Sequence, residues 1–171
     1  MIQILRLSHR LRRDIRVSTH VALSSRALGA SKLYYSGQHD SSYEDSVNKI
    51  SKRFGGQFTI EYVKDPIALI KSKKDYFIVH LTVYGLQIQK EIQKIRKKKK
   101  ILVIVGSEKV PPEIYNLADV NLSVSSQPHS EISSLAIFLH EYYEGKELEK
   151  KFKGKVEIKP SKIGKKVVKI G

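Results

Sequence analysis

What most constrains the fold is an alternation of short apolar runs with stretches of helical period. Ile101-Leu102-Val103-Ile104-Val105 has no polar member and stops at Gly106. A run this short and this apolar predicts a strand covered on both faces. Met1 to Leu7, Lys32 to Ser36, Phe58 to Val63, Tyr76 to Val83 and Val120 to Val124 read as further strands. Helical patterns fall between them. Ser18 to Leu28 ends at Gly29. Ser42 with Asp45 reads as a capping box opening a helix that closes at Gly55-Gly56. Asp65-Pro66 starts a short helix, and Leu86 to Lys97 forms another. Glu131 to Tyr143 has Ile132, Leu135, Ala136, Leu139 and Tyr142 on one face and stops at Gly145. Arg10 to Val17 reads as a polar loop. Strand alternating with helix predicts an α/β fold, a mostly parallel sheet with helices on both faces. Ligands of such sheets sit beyond the C-terminal ends of the strands. That edge receives His80 to Gly85, Gly106 to Pro112, and Ser125 to Glu131.

Residues 1–145 read as one domain. Residues 146–171 break the pattern and read as a basic extension. In it, Val156 to Ile158 and Val167 to Ile170 suggest a hairpin packed on the same domain. No stretch approaches the apolar length of a membrane span, and the start of the chain has no secretory run. The expectation is a soluble cytoplasmic protein with no membrane partner.

Charge narrows the partner. The chain carries 32 Lys and Arg against 17 Asp and Glu, a net charge of +15. Such an excess favours a polyanion, because each neutralised phosphate releases counterions. Heat adaptation alone would add Glu along with Lys. The charge is concentrated at both ends. Five of eight arginines are Arg6, Arg10, Arg12, Arg13 and Arg16, and residues 146–171 hold ten lysines and three acids. Arginine forks match phosphate oxygens in pairs. Few aromatics argue against stacking on long single strands and favour a folded RNA read by shape and phosphates.

Several chemistries are excluded. With no cysteine there is no thiolate nucleophile and no Cys-type zinc site. No metal-ligand spacing occurs, so no metal is expected. Neither GxGxxG nor GxxxxGK[ST] occurs, so the usual dinucleotide and phosphate cradles are missing. The turn Gly106-Ser107-Glu108-Lys109-Val110 follows a buried strand, and on its own reads as an ordinary strand-to-helix turn with Pro111 at the first helical position. The stretch Val124-Ser125-Ser126-Gln127-Pro128-His129-Ser130-Glu131 precedes the strongest helix, which Ser130 is placed to cap. His80 reads as a satisfied core histidine with no catalytic part.

Four ordered segments carry a resemblance. HRxxRDxRVSTHVALSSRALGA from His9 to Ala30 and IVHLTVYG from Ile78 to Gly85 are the first two. ILVIVGSEKVP from Ile101 to Pro111 and NLSVSSQPHSEISSLAIFLH from Asn121 to His140 follow. Together they are similar to the archaeal tRNA cytidine(56) 2′-O-methyltransferases of the SPOUT superfamily, over nearly the whole chain to about residue 145. The resemblance implies a trefoil knot in the C-terminal half, which is not derivable from patterning. It also implies a homodimer with sites near the subunit interface, tRNA as substrate and S-adenosyl-L-methionine as cofactor. The implied reaction is methyl transfer to the ribose 2′-hydroxyl of cytidine 56 in the T-loop.

Carried over by position, Leu81, then Gly106, Ser107, Glu108, Lys109 and Val110, then Val124, Ser125, Ser126, Gln127, Pro128, His129, Ser130 and Glu131 would hold the cofactor. Arg16 would be catalytic, and Arg10 and Arg13 would bind RNA. The first motif departs from that of the wider ribose-methylating branch, where an Asn and an Arg stand at another spacing. The general base therefore stays open among Arg16, His20 and Glu108. The alternatives are a non-catalytic RNA-binding module on the same scaffold and a SPOUT methyltransferase acting on another structured RNA.

Overall fold

The computed structural model describes residues 1–106 and 109–170. Six strands, β1 (Ile2–His9), β2 (Lys32–Gly37), β3 (Thr59–Tyr62), β4 (Phe77–Gln87), β5 (Ile101–Val105) and β6 (Val120–Ser123), form one sheet in the order β3-β2-β1-β5-β4-β6. Every neighbouring pair runs parallel. The chain steps outward from β1 to β3, then returns to fill the other side. The strand order therefore reverses between β1 and β5, the kind of position where a parallel sheet opens a crevice.

Successive side chains of a strand point to opposite faces, and the core divides accordingly. Ile2, Ile4, Val79, Leu81, Val103 and Val105 pack against α1 (Ile15–Ala27), α2 (Ser41–Phe54), α4 (Ile88–Ile95) and α6 (Glu131–Tyr143). Leu5, Leu7, Ile78, Leu102 and Ile104 pack against α3 (Pro66–Ser72) and α5 (Pro112–Leu117). Both faces are covered, which is why β5 has no polar residue. In the tail, β7 (Val156–Ile158) pairs antiparallel with β8 (Val167–Lys169). The Lys155 N–H donates to the Arg53 carbonyl at 2.9 Å and ties the tail to the body.

The elements differ from the sequence expectation in several places. α1 starts at Ile15, not Ser18, so the last three residues of the expected polar loop, Ile15 to Val17, belong to the helix's exposed first turn. The cap of α2 is Asp40, whose carboxylate accepts from the Tyr43 N–H; Ser42 donates to Asp40 and caps nothing. Pro111 stands at the cap of α5 and Pro112 at its first position.

The largest difference is β4, which runs on to Gln87. Leu81 and Leu86 both pair with Leu122, so the residues between them loop out of the ladder and the strand then resumes. Gly85 lies directly against the backbone of β6. A Cβ there would stand 2.5 Å from Asn121 C and Leu122 N, closer than packed atoms come, and neither neighbour is a movable side chain. We therefore expect Gly85→Ala to lower the urea midpoint, with a loss of roughly 1–3 kcal/mol or more from overpacking. An unchanged midpoint would show that the two strands can separate freely here.

Candidate functional site

Where β4 leaves its ladder after Leu81, and at the C-terminal end of β5, the sheet opens into a cavity of about 460 Å³. One wall is Leu81 to Tyr84, Val105, Gly106 and Val110; the other is Pro128 to Glu131 with Ser134, and Tyr115 stands at its side. Gly106 has a packing reason to be glycine, since a Cβ would meet Val110 Cγ2 at 2.2 Å. The second wall is held by a built helix start. Ser130 Oγ accepts from the N–H groups of Ile132 and Ser133, and Glu131 occupies the first turn of α6. A carboxylate there is favoured by the positive helix end.

Glu131 is fastened from behind by Arg6 of β1. Arg6 is 1% exposed. Its Nε donates to Glu131 Oε1 at 3.1 Å, and Nη2 lies 2.9 Å from the same oxygen. Nη2 also lies 4.0 Å from Asp14. Asp14 in turn receives a two-pronged contact from Arg10, Nε at 2.9 Å and Nη2 at 3.2 Å. Burial pushes the Glu131 carboxyl above the usual carboxylate range, with Arg6 pulling the other way. The Arg10 hydrogen bond, aided by Arg6, holds Asp14 below it despite burial. The arginine-rich loop, the central strand and the cavity wall thus share one guanidinium.

The loop leaves β1 through a bulge. Ser8 adopts a left-handed conformation (φ 59°) where the register with β2 shifts. Such a bulge re-aims the next side chain, and His9 turns inward to full burial. Its Nδ1 lies 2.7 Å from Ser18 Oγ and its Nε2 3.3 Å from Asp40. Burial holds His9 below its ordinary pKa, outweighing Asp40. The partners assign the tautomer: Nε2–H donates to the carboxylate and Nδ1 accepts from the Ser18 hydroxyl. For Asp40, burial alone would raise the carboxyl, but hydrogen bonds from Tyr43, Ser42 and His9 bring it down.

The cavity brings together Leu81, Gly106, Val110, Pro128, His129, Ser130 and Glu131. Lys109, Val124, Ser125, Ser126 and Gln127 do not line it. Val124 packs on the core instead. Ser107 and Glu108 lie outside the described residues. Arg10, Arg13 and Arg16 do not line it, and Arg10 reaches the second wall only through Asp14 and Arg6. His20 is exposed on α1, also outside the lining.

Sequence reasoning placed His80 to Gly85 at this edge but named neither His80 nor Thr82 as a site residue, and it missed the parts played by Arg6 and Tyr115. His80 Nδ1 meets Asn121 Oδ1 at 2.8 Å, and Asn121 Nδ2 donates to the Tyr115 carbonyl at 3.0 Å. The amide is thereby oriented and Nδ1 carries the proton. Burial lowers the pKa of His80, and its Nε2 has no partner among the described residues. The one available signal was the pairing of β4 with β6, which needs the topology. Among the described residues no cluster of His, Asp or Glu could hold a metal ion.

Residues 54–168 match the family described as tRNA ribose 2′-O-methyltransferase, aTrm56. The chain belongs to that family. It is 50% identical over 169 residues to a tRNA (cytidine(56)-2′-O)-methyltransferase of Methanocorpusculum labreanum, covering 97% of this chain and 91% of that protein. With the enzyme of the same name from Methanocaldococcus jannaschii it shares 49% over 173 residues, 98% of this chain and 96% of the relative. Among solved structures, the A. aeolicus TrmH/SpoU tRNA modifying enzyme superposes with a TM-score of 0.63 at 18% identity, over 86% of this chain and 76% of that one. The SpoU methyltransferase AviRb from Streptomyces viridochromogenes, in complex with AdoMet, gives 0.61 at 13% identity, over 85% and 57%. At those identities the likeness is one of fold, the SPOUT α/β sheet.

Two measurements follow for this family member. Arg6→Met leaves Glu131 and Asp14 without their shared countercharge, and we expect a loss of about 3–5 kcal/mol in urea unfolding. Adding Glu131→Gln should recover part of that loss; a single-variant loss below about 1 kcal/mol would mean that the pair clamps nothing. The second concerns pH. Burial makes His9 and His80 take up a proton less readily in the fold than in the unfolded chain, where each does so below about pH 6.5. Their contribution is present above that value and lost as pH falls below it, by up to about 1.4 kcal/mol per pH unit per histidine. A flat stability between pH 7 and pH 5.5 would contradict it.

Proposed function

We propose that this chain transfers a methyl group from S-adenosyl-L-methionine to the ribose 2′-hydroxyl of cytidine 56 in the tRNA T-loop. The observation that carries this reading is the cavity where β4 leaves its ladder and β5 ends, walled by Leu81, Gly106 and Val110 against Pro128 to Glu131, in a chain of this family. The residues fit the cofactor. Leu81, Val105 and Val110 offer an apolar slot for a nucleoside, Ser130 and Glu131 offer polar groups, and about 460 Å³ is ample for a nucleotide-sized molecule.

When bound, S-adenosyl-L-methionine supplies a methyl on sulfonium, whose sulfur leaves as a neutral thioether and needs no metal. The chain's own residues then have three tasks. The apolar wall excludes water. Glu131, fixed by Arg6, keeps the second wall in place and would offer a carboxylate to a positively charged ligand. Arg10 and Arg13 of the loop and Arg16 at the start of α1 would grip phosphates and so orient the 2′-oxygen for transfer. A guanidinium stays charged at neutral pH, so Arg16 acts as a donor that holds the hydroxyl oxygen and an adjacent phosphate, which takes the proton.

We read the active enzyme as a homodimer. Leu11, Ile15 and Val17 are large apolar side chains exposed next to Arg16, and a second copy would cover them and bring its Arg16 toward the cavity. A knotted C-terminal half fits the contact of Gly85 with the β6 backbone. Residues 146–171 serve as a basic extension docked on the 1–145 domain. A cytoplasmic, archaeal setting suits the substrate and the relatives' sources, and no helix among the described residues is long and apolar enough to cross a membrane.

The test is calorimetry with S-adenosyl-L-methionine, followed by methyl incorporation into an unmodified tRNA transcript and into a transcript lacking C56. We expect binding, and incorporation only where C56 is present. Absence of binding at millimolar cofactor would leave an RNA-binding module, and methylation without C56 would mean another RNA target. Arg16→Ala should lower kcat by about a hundredfold or more while cofactor affinity stays within about twofold. An active variant would move the role to another residue.

A further inference from the structure

A second and larger hollow, about 590 Å³, lies at the opposite edge of the sheet. Its floor includes Ala30 and Ser31, which lead into β2, and Gln57 and Phe58, which lead into β3. All six strands run parallel, so these N-terminal ends face away from the cofactor cavity. Arg26, Ser51, Lys52, Lys150, Lys151 and Lys153 line it, and no carboxylate does. We propose that this hollow holds a backbone phosphate of the bound RNA, a proposal that rests on RNA being the substrate.

Three observations support a built site rather than loose surface charge. First, Arg26 is 7% exposed. Its Nη2 donates to the Gly55 carbonyl and its guanidinium lies 4.8 Å from the centre of the Phe152 ring. Its Nε is buried with no partner among the described residues. Second, Ser51 Oγ, of the same lining, is likewise buried with none among them. Two such groups on residues of one hollow are unusual, because buried polar groups nearly always find partners. Third, the tail is seated, not draped. A Cβ on Gly55 would stand 2.2 Å from the Lys153 carbonyl oxygen, and one on Gly56 2.7 Å from Phe152 Cδ1. Only glycine admits the tail this closely, and the Lys155 to Arg53 hydrogen bond fixes it. Lys150, Lys151 and Lys153 are thus delivered to the rim.

The competing explanation is that these cations serve the C-terminal ends of α1 and α2. Each helix end carries roughly half a negative charge, so two ends amount to about one, against five cationic side chains. Glu147 and Glu149 line a neighbouring hollow with Lys150, and Glu157, paired with Lys159 at 2.6 Å, lines another with Arg26, Lys150 and Lys151. Glu147 is already held by His140 at 2.7 Å. A positive excess remains, and a phosphate with its several acceptor oxygens matches an open N–H, a hydroxyl and mobile ammonium groups.

The experiment measures binding of an unmodified tRNA transcript to the full chain, without cofactor, across a salt series. Lys150→Gln/Lys151→Gln/Lys153→Gln alters the hollow. Lys162→Gln/Lys165→Gln/Lys166→Gln removes equal charge from the exposed hairpin turn. Arg26→Lys keeps the charge and removes Nε and the fork. We expect the hollow triple to weaken binding at least tenfold and to flatten the salt slope by up to about 0.9 for each phosphate no longer neutralised. The control triple should weaken binding less than a third as much, and Arg26→Lys about tenfold, with cofactor affinity unaltered throughout. Equal losses in the two triples, or none in the hollow triple, would overturn the proposal. So would stabilisation by inorganic phosphate over chloride at equal ionic strength if the hollow triple abolishes it yet binds tRNA like the unaltered chain; the hollow would then serve a small anion. An unaltered chain that binds tRNA with the expected variant losses but transfers no methyl would support the hollow and overturn only the enzymatic reading. One that binds no tRNA overturns both.

Discussion

The guanidinium of Arg6 stands at the junction of three segments, almost wholly shielded from water. Removing such a charge from water costs several kcal/mol unless carboxylates and hydrogen bonds offset it. Glu131 and Asp14 supply that compensation, and they come from elements remote in sequence. The consequence is geometric. The first turn of α6 cannot move away from β1, and the loop before α1 cannot move away from either, without stranding a buried charge. A cavity wall and the arginine-rich loop are thereby held in fixed relation. Arg6 Nη1 has no partner among the described residues, so the clamp is incompletely satisfied.

This dependence explains why the framework was more legible in the sequence than the site. A wholly apolar β5 announces a buried parallel strand, and the strands and long helices follow from period and stop signals. The start of α1 was not legible, because Ile15, Arg16 and Val17 are all exposed, so no buried face marks the first turn and the stretch reads as loop. The resumption of β4 at Leu86 was hidden for a different reason. Tyr84-Gly85 reads as a stop, and only the pairing of both Leu81 and Leu86 with Leu122 reveals a strand that loops out and returns.

Within the site, the two loops named from the sequence supply much of the lining, but their far members do not. Val124 belongs to the core, and Ser125 to Gln127 turn the chain toward Pro128. Arg6 was illegible as a site residue. A single charge inside an apolar strand reads as a solvent-facing position, and its burial depends on two acids that the sequence places 8 and 125 residues away. His80 looked like a satisfied core histidine. It is half of one, with Nδ1 bonded to Asn121 and Nε2 open beside the cavity.

The uneven charge acquires a spatial meaning once the strands are known to run one way. The arginine-rich segment emerges from the C-terminal end of β1, next to the proposed cofactor cavity. The lysine-rich tail returns to the N-terminal ends of β2 and β3. The two basic ends of the sequence therefore mark opposite edges of one sheet, separated by about the length of a five-residue strand, roughly 17 Å. A polyanion that engages both must be larger than that and hold its phosphates at a set spacing. A flexible single strand meets the first condition but orders its phosphates only at an entropic cost, whereas a folded RNA meets both before binding. Selection for a folded substrate then needs no base contact at the tail, because distance alone discriminates.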